Sequence, residues 1–278
     1  MITVVGSVNL DLVARLEKLP IPGETLSARG FERVPGGKGA NQALAARRLG
    51  AQVRLLAAVG DDQLAEDALA LLRAEGVDTA RVTSVPGTPT GLAMIEVDGS
   101  GETTIVVVPG ANAQLRIDPS HVADAAAVLT VLEVPDEAVS AAAAGAREFF
   151  AINAAPARPI PPDALARADL VVVNRSEYPK IPGLDGARLV AITLGADGAV
   201  LLRNGTQVST AAAPVVTAVD GTAAGDAFTA ALVLGLVHGD DESDALGAAC
   251  AAGALTASRP GAQPSLPTAH ELAEMLHR

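Results

Sequence analysis

Short runs of apolar residues alternate with longer helical patterns along most of this chain. Strands are predicted at Ile2–Gly6, Val53–Val59, Val128–Glu133, Leu170–Val173, Leu189–Leu194 and Val200–Arg203. Helices are predicted over Ala43–Leu49, from about Asp62 to Glu75, over Asp136–Ala144, and as two apolar helices between Gly225 and Ser258 that His238–Asp244 separates. This alternation indicates an α/β fold, with a parallel sheet covered by helices on both faces.

Two segments do not follow that alternation. Leu12–Leu16 together with Glu24–Arg29 has an extended pattern, and Gly91–Val97 and Thr103–Val108 flank Asp98-Gly99-Ser100-Gly101, a strong hairpin signal. Alternate positions in these segments are too polar for central strands. We therefore expect one α/β domain over residues 1–278, with a small β-sheet formed by segments of about 12–34 and 91–108; an ordinary surface hairpin is the alternative.

A turn of very small residues opens the first of the two late helices. It runs from Asp220 through Gly221, Thr222, Ala223, Ala224 and Gly225 to Asp226. The N–H groups at a helix start have no intrahelical partner and attract anions such as phosphate. Asp226 is placed to take a proton from an attacking hydroxyl, so the turn predicts phosphoryl transfer. An Asp in a first helical turn also complements the helix dipole, which is the structural alternative.

A second glycine-rich stretch, Gly36-Gly37-Lys38-Gly39-Ala40-Asn41-Gln42, precedes a helical pattern that Gly50 closes. It is not a Walker A loop, because Gly39 follows Lys38 where Ser or Thr is required. We expect its glycines to let a ligand lie close to the backbone, with the Asn41 amide as a hydrogen-bonding group. A flexible loop is the alternative, and the presence of the downstream turn disfavours it.

Composition narrows the choice of partners and compartment. The chain has 278 residues, 49% of them hydrophobic, and a net charge of −12. This acidic balance argues against nucleic acids and anionic membranes as partners. Cys250 is the one cysteine, so no internal disulfide can form, and the N-terminus has no basic leader pattern. We expect a cytoplasmic protein without a transmembrane helix.

Together the two motifs resemble the signatures of the ribokinase-like, PfkB-type family of carbohydrate kinases. GGKGANQ is similar to the N-terminal signature, Asp220–Asp226 to the C-terminal signature D-T-x-A/G-A-G-D, and the segment 261–265, Gly-Ala-Gln-Pro-Ser, to a third typical stretch. The resemblance runs from Val4 to about Pro267. It implies a three-layer α/β/α fold with a central, mostly parallel sheet and a small β-sheet lid over the sugar.

The resemblance also implies an activity, which is ATP-dependent phosphorylation of the primary hydroxyl of a pentose, with D-ribose as the expected substrate. Mg²⁺ and an activating K⁺ are the implied cofactors. In this family the lid often pairs with the lid of a second subunit, so a homodimer through the lid sheet and a monomer with a surface hairpin both stay open.

Residue roles follow from the resemblance position by position. The sugar-binding positions are matched by Asn9, Asp11, Gly37, Asn41, Glu133 and Asp226, to which we add Lys38. Asp226 also matches the catalytic base, and the N–H groups of Ala223, Ala224 and Gly225 match the anion hole. The nucleotide side is matched by Asn174, Glu177, Thr193, Gly195, Gly198, Gly225 and Cys250, with Glu177 reaching Mg²⁺ through water.

The family's monovalent-cation site is matched as well. Asp220 and Ser265 correspond to its side-chain ligands. Its backbone ligands are matched by the carbonyl groups of Thr222, Thr256, Arg259 and Gly261. Such a cation would set the shape of the 220–226 turn without touching the substrate. The alternative is that Asp220 only caps the turn.

This chain departs from the family pattern in three places. Gly221 replaces a usual Thr, and Cys250 stands where a His that packs on adenine is expected. The segment 178–188 is shorter than usual and contains Pro179, Pro182 and Gly183, so the helix normally found there is predicted to be absent. The last two departures concern the nucleotide side and leave the choice of nucleotide open.

Other functions are compatible with parts of this pattern. A PfkB-type kinase for another furanose or for a nucleoside would share the motifs, although only 2% of the residues are aromatic and few rings are available to stack on a second base. A sugar-binding protein that has lost catalysis would fit the shortened segment and Cys250. Asp226 and the stretch Asn174-Arg175-Ser176-Glu177, which resembles the family's N-x-x-E motif, argue against it. A hydrolase is disfavoured because the chain has no G-x-S-x-G elbow.

Overall fold

Strands and helices alternate along most of the chain in a computed structural model, which describes residues 1–99 and 102–277. The strands are β1 (Ile2–Val5), β2 (Asn9–Arg15), β3 (Gly30–Gly36), β4 (Val53–Gly60), β5 (Asp78–Val85), β6 (Gly91–Val97), β7 (Thr103–Val108), β8 (Ala127–Val131), β9 (Phe149–Asn153), β10 (Leu170–Asn174), β11 (Val190–Thr193), β12 (Ala199–Arg203) and β13 (Thr206–Ala211). The α-helices are α1 (Lys38–Arg48), α2 (Gln63–Ala74), α3 (Asp136–Gly145), α4 (Pro162–Arg167), α5 (Ala224–His238), α6 (Glu242–Ala257) and α7 (Ala269–Leu276).

Nine strands form the central sheet in the order β13-β12-β11-β10-β9-β8-β1-β4-β5. Pairing is parallel from β5 to β11, and the last two pairs, β11 with β12 and β12 with β13, are antiparallel. Leu44, Leu69 and Leu232 are buried on one face, and Val139 and Ala164 on the other. Helices therefore cover both faces, and the predicted three-layer α/β/α arrangement with a mostly parallel sheet is confirmed.

A separate four-stranded sheet has the order β3-β2-β6-β7. β2 pairs antiparallel with β3 and parallel with β6, and β7 completes the sheet by antiparallel pairing with β6. The small sheet that the polar alternation predicted is therefore present. Ser100 and Gly101 of the predicted hairpin turn lie outside the described residues.

The predicted extended segment Glu24–Arg29 is misplaced, because the strand is Gly30–Gly36. Its position is set by pairing with β2, whose register runs from Asn9 opposite Gly36 to Arg15 opposite Gly30. Glu32 and Arg33 interrupt the apolar alternation there, so the sequence pattern is weak. As a result β3 leads directly into α1 and joins the small sheet to the GGKGANQ motif.

Three strands of the central sheet carry too weak a pattern to be predicted. β5 and β13 are edge strands with mostly exposed residues, and β9 is a run of five residues. The segment 178–188 contains two 3₁₀ turns, Tyr178–Lys180 and Leu184–Gly186, and no α-helix. Over the described part of the chain, every helix is too short or too polar to cross a lipid bilayer.

Candidate active site

The glycines of the first motif allow α1 to begin directly against the backbone that connects β1 with β2. A Cβ atom on Gly39 would lie 2.5 Å from the backbone of Gly6 and Ser7, and one on Gly37 would lie 2.7 Å from the Asn9 nitrogen. Gly37 also has a φ of 87°, which disfavours any side chain. The atoms that approach these glycines closely belong to the protein, and a ligand lying close to this backbone stays a prediction.

The second motif meets the first at Asp226. This side chain lies in the first turn of α5 and is 5% exposed. Its Oδ2 accepts a hydrogen bond of 2.9 Å from Asn41 Nδ2, and its Oδ1 accepts one of 2.8 Å from Gln42 Nε2. Burial raises the pKa of Asp226, and the charge of Lys38 and the two amide donors oppose that rise only in part. The carboxylate is thus a stronger base than an exposed aspartate.

Carboxylates surround Lys38 at the start of α1. Burial disfavours its charged form, but the negative charges of Asp226, Glu133, Glu177 and Asp11 outweigh that effect and raise its pKa. Glu133 is held in place because its Oε2 accepts hydrogen bonds from the Ser7 hydroxyl and from the Lys38 backbone N–H. Lys38 therefore stays protonated and offsets part of the negative charge of this region.

Asp11, at 8% exposure, lies closely packed against β3. A Cβ on Gly36 would lie 2.3 Å from its Oδ2, so a side chain at position 36 would displace this carboxylate. Burial and the nearby Glu133 raise the pKa of Asp11 to about 7, while Lys38 opposes the rise. A carboxyl group of this kind can exchange hydrogen bonds with sugar hydroxyls.

A cavity of about 680 Å³ lies between the small sheet and the carboxyl ends of the central strands. Asp11 and Lys38 line it together with Asp226, the predicted anion-hole residues Ala223 and Gly225, and the N-x-x-E residues Asn174 and Glu177. The two motifs, which are far apart in sequence, therefore share one site. Residues 91–97 and 103–108 contribute Ile95, Val97, Thr103 and Ile105 to the opposite wall.

Some predicted sugar-binding residues, among them Asn9, Gly37 and Asn41, do not line this cavity. Asn9 is 5% exposed, and its Oδ1 accepts a hydrogen bond of 2.8 Å from Asn112 Nδ2. Asn112 also binds both the N–H and the carbonyl of Val8. Gly37 and Asn41 support the site by backbone packing and by the bond to Asp226, respectively. These contacts make them supporting residues in the structure as it stands.

The three N–H groups that are predicted to form an anion hole differ in their hydrogen bonding. Ala223 precedes α5 in the left-handed conformation, with a φ of 62°. The Ala224 N–H donates a hydrogen bond of 3.2 Å to the Gly221 carbonyl, so one of the three predicted donors already has an acceptor. Within the described residues, the N–H groups of Ala223 and Gly225 have no acceptor. These two remain available to an anion in the absence of any rearrangement.

A second cavity of about 430 Å³ adjoins the first across this turn. Gly221 and Gly225 line both cavities, and Thr193 does so from the end of β11. The predicted nucleotide-side residues Gly195, Gly198 and Cys250 line the second cavity, along with apolar residues such as Val216 and Phe228. The 220–226 turn thus lies between two adjoining cavities, and the second has the more strongly apolar lining of the two.

The glycines of the 193–198 turn have different roles. A Cβ on Gly195 would face open space, whereas one on Gly198 would lie 2.0 Å from the Ala211 carbonyl oxygen. Gly198 is therefore needed for packing against β13. The Cys250 thiol lies 3.8 Å from that same carbonyl, and burial raises its pKa to about 11. Cys250 is consequently an unreactive, apolar wall residue.

The N-x-x-E motif forms a closed turn after β10. Asn174 Oδ1 accepts from the backbone N–H groups of Ser176 and Glu177, both at 2.9 Å. In return, Glu177 Oε2 accepts a hydrogen bond of 2.8 Å from the Asn174 N–H. The reciprocal bonds fix the Glu177 carboxylate at the edge of the larger cavity.

Asp220 connects the anion-hole turn to the Gly-Ala-Gln-Pro-Ser segment. Its Oδ1 accepts from the N–H and the hydroxyl of Thr222, at 2.9 and 2.6 Å, and its Oδ2 accepts from the Gly261 N–H at 2.9 Å. Although burial opposes ionisation, these bonds lower the pKa of Asp220. The Ser265 hydroxyl donates to the Ala262 carbonyl, the Thr256 carbonyl accepts from the Arg259 N–H, and the Arg259 guanidinium binds Glu271.

A family model described as pfkB family carbohydrate kinase matches residues 1–269. The chain belongs to this family.

Curated pfkB-family relatives are similar over nearly the whole chain. The ribokinase of Bacillus subtilis is 36% identical over 293 residues, covering 99% of this chain and 99% of the relative. The ribokinase of Haemophilus influenzae is 33% identical over 300 residues, covering 99% of this chain and 98% of the relative. Both matches cover 99% of this chain and so extend over both motif regions.

Solved structures of pfkB-type ribokinases show the same fold. The ribokinase of Thermotoga maritima has a TM-score of 0.90 at 29% identity and covers 100% of this chain and 99% of its own. The Arabidopsis thaliana ribokinase complexed with ribose and ATP has a TM-score of 0.91 at 29% identity, with coverages of 100% and 98%. The resemblance read from the motifs is thereby confirmed at the level of the family and of the fold.

The sequence analysis of this pfkB-family chain missed several residues of the site. Gln42 donates a hydrogen bond to Asp226 that is as short as the one from Asn41. The position of Gln42 inside the first motif was the available signal. Asn112 fixes the segment at Val8 and Asn9 from a 3₁₀ turn that no pattern indicated. Arg15 and Glu32 line the larger cavity on the same face as Asp11, which the two-residue alternation of β2 and β3 could have indicated.

Proposed function

We propose that this pfkB-family kinase transfers the γ-phosphoryl group of ATP to the primary hydroxyl of D-ribose and releases ribose 5-phosphate. The observation that carries the proposal is the position of Asp226, which binds Asn41 and Gln42 and lines one cavity with Asp11, Lys38 and the anion-hole turn. The similarity to ribokinases, among them one complexed with ribose and ATP, supports the choice of both substrates.

The sugar occupies the larger cavity in this proposal. Asp11 and Glu133 accept hydrogen bonds from its hydroxyl groups, and Lys38 balances their charge. The primary hydroxyl lies at Asp226, which takes its proton as the oxygen attacks phosphorus. A raised pKa suits this role, and general-base assistance typically contributes about 10²–10⁴ in rate.

The nucleotide occupies the second cavity, with its phosphates directed across Gly225 into the first. The free N–H groups of Ala223 and Gly225 stabilise negative charge on the transferring phosphoryl group, an effect of about 10²–10³ for each donor in comparable sites. The apolar walls beside Val216, Phe228 and Cys250 accommodate the base. The lining of this second cavity does not include residues 178–188, and Cys250 gives it an apolar wall, so neither departure argues for a loss of catalysis.

The chain offers different numbers of ligands to Mg²⁺ and to K⁺. Among the described residues, no three His, Cys, Asp or Glu side chains are grouped to hold a metal ion. Mg²⁺ would therefore be held by the ATP phosphates, with the Glu177 carboxylate at the cavity edge reaching it through water. When bound, it neutralises phosphate charge.

K⁺ would be held by oxygen atoms at the junction of the 220–226 turn and the 256–265 segment. The donor set suits a hard monovalent cation, because it consists of the Asp220 carboxylate, the Ser265 hydroxyl and the carbonyls of Thr222, Thr256, Arg259 and Gly261. The ionised state of Asp220 supports this assignment. A cation there would fix the turn that carries the anion hole.

The same proposal includes a cytoplasmic location and a homodimer through the small sheet. Exposed apolar side chains lie on both faces of this sheet: Phe31, Met94 and Val106 share one face, and Val107 lies on the other. An exposed apolar strand such as β7 is a ready surface for a second copy. Light scattering on the purified chain and on Val106→Lys tests this part; a dimer that the variant converts to monomer supports it, and a wild-type monomer contradicts it.

A substrate panel tests the function. ADP formation is measured with ribose, 2-deoxyribose, fructose, adenosine and inosine, each with ATP and Mg²⁺, in the presence of K⁺ or of a bulky organic cation. The proposal predicts that ribose has the highest kcat/KM and that K⁺ raises it. A higher kcat/KM for a nucleoside, or no turnover of any sugar, would contradict it.

A further inference from the structure

The larger cavity is rich in negative charge, which would repel the negatively charged triphosphate of ATP. Its lining includes five carboxylates, those of Asp11, Glu32, Glu177, Asp220 and Asp226. Among the described lining residues, the positive charges are those of Lys38 and Arg15. Lys38 is already engaged with the carboxylates around the sugar position. Arg15 is therefore the positively charged side chain that can bind an incoming phosphate group.

Arg15 lies on the small sheet, on the same face as Asp11. The side chains of a strand alternate between its two faces, so Asp11, Val13 and Arg15 all point toward the cavity, as the lining confirms. Four residues of strand place Arg15 about 13 Å beyond Asp11 along β2. Asp220, Thr222 and Ala223 of the 220–226 turn line the same cavity, and the positive charge of Arg15 is close enough to Asp220 to act on that carboxylate.

The present partner of Arg15 holds it weakly. Arg15 Nε donates to Glu32 Oε1 at 3.1 Å, and the two side chains are 50% and 52% exposed. Solvent-exposed ion pairs of this kind contribute little to stability, so the guanidinium can exchange Glu32 for a stronger anion at little cost. A phosphate group is such an anion, because its oxygens accept two parallel hydrogen bonds from the guanidinium fork.

We propose that Arg15 is a phosphate-binding residue of this kinase, which exchanges Glu32 for the phosphoryl group held at the anion-hole turn. The inference rests on the proposed phosphoryl transfer in the larger cavity. The small sheet would then cover the sugar and would also supply a positive charge that binds the phosphate group. Glu32 acts as the competing anion that keeps Arg15 at the cavity when no phosphate is bound.

Calorimetry on the full chain separates the two sources of that phosphoryl group. Dissociation constants are measured for a non-hydrolysable ATP analogue with ribose present, for ADP, for ribose 5-phosphate and for ribose alone. The variants are Arg15→Gln, Arg15→Lys and Glu32→Gln. Arg29→Gln is the matched control, because Arg29 pairs with Glu17 at 2.9 Å close to the same sheet and does not line the cavity.

Arg15→Gln is expected to weaken binding of the ATP analogue about 10- to 100-fold, the usual effect of losing a charge-assisted bond. The Kd values for ADP and ribose should stay within about twofold of wild type if the γ-phosphate is the ligand. If Arg15→Gln also binds ribose 5-phosphate more weakly than wild type does, Arg15 binds the phosphate group of the product as well. Arg15→Lys should restore part of the loss, since lysine keeps the charge without the fork, and Glu32→Gln should tighten analogue binding.

Unchanged affinity of Arg15→Gln for both the analogue and ribose 5-phosphate would overturn the inference. So would an equal loss in Arg29→Gln, or a loss confined to ribose. Because these are binding measurements, they decide the role of Arg15 independently of turnover. A wild-type protein that binds the analogue but does not phosphorylate ribose would count against the proposed function instead.

Discussion

Gln42 Nε2 donates a hydrogen bond of 2.8 Å to Oδ1 of Asp226, across 184 positions of sequence. This bond and the parallel one from Asn41 join the start of α1 to the start of α5. Both donors stabilise the ionised carboxylate. The proposed base is therefore positioned by the motif that also supplies Lys38 to the sugar site.

Removal of the Gln42 donor should change the pH dependence of the reaction. The proposed base must be ionised, so kcat falls as the pH drops through the pKa of Asp226. Gln42→Leu removes a bond that lowers this pKa, and the acid limb of the kcat profile should therefore move to higher pH. Gln52→Leu, at an exposed position, is the control. An acid limb that does not move would show that Gln42 does not tune the base.

Asp11 should impose a stability cost that depends on pH. Its pKa is about 7 in the folded chain and 3.8 as its ordinary value, so the folded state binds the proton more tightly between these limits. Stability therefore falls as the pH rises from about 4 to about 7, and the full penalty is present above 7. Asp11→Asn should be more stable than wild type at pH 8 by on the order of 2–4 kcal/mol, and this gain should shrink toward pH 4.

Urea unfolding at pH 8 and at pH 5 measures this difference. The same variant should bind ribose more weakly, because it loses the carboxylate that accepts from the sugar. Asp118→Asn, an exposed carboxyl position, is the comparison. Lower stability of Asp11→Asn at pH 8 would contradict the environment described for Asp11.

Gly39 and Gly247 should respond in opposite directions to the same substitution. A Cβ at Gly39 would lie 2.5 Å from backbone atoms of Gly6 and Ser7, so Gly39→Ala should destabilise the fold by about 1–3 kcal/mol. Gly247 lies inside α6 with open space around its Cβ position, so Gly247→Ala should stabilise by about 0.5–1 kcal/mol. Equal effects in thermal unfolding would contradict the close contact of α1 with β1.

The sequence predicted the parts of the site that depend on local chemistry. The small residues at 220–226 and the glycines at 36–39 are visible because few other residues tolerate such turns, and Asp226 follows from its place in a first helical turn. The strands β1, β4, β8, β10 and β11 are buried on both faces, so their apolar runs were long enough to be recognised.

The parts that were missed depend on contacts between distant segments. Pairing with β2 places β3 at Gly30–Gly36, and no local signal marks that register. The role of the glycines at 37 and 39 depends on the backbone of residues 6–9, and the engagement of the Ala224 N–H depends on the shape of the turn. The same applies to Asn9, whose partner Asn112 lies 103 positions away.

The turnover of Asp226→Asn tests the central claim most directly. Asp244→Asn is the matched control, because Asp244 lies in the first turn of α6 and is exposed. The measurement is the rate of ribose phosphorylation at saturating ribose and ATP, with thermal unfolding as the check on folding. The account predicts a kcat about 10²–10⁴ below wild type for Asp226→Asn, with Asp244→Asn close to wild type. A folded Asp226→Asn that phosphorylates ribose at nearly the wild-type rate would contradict it.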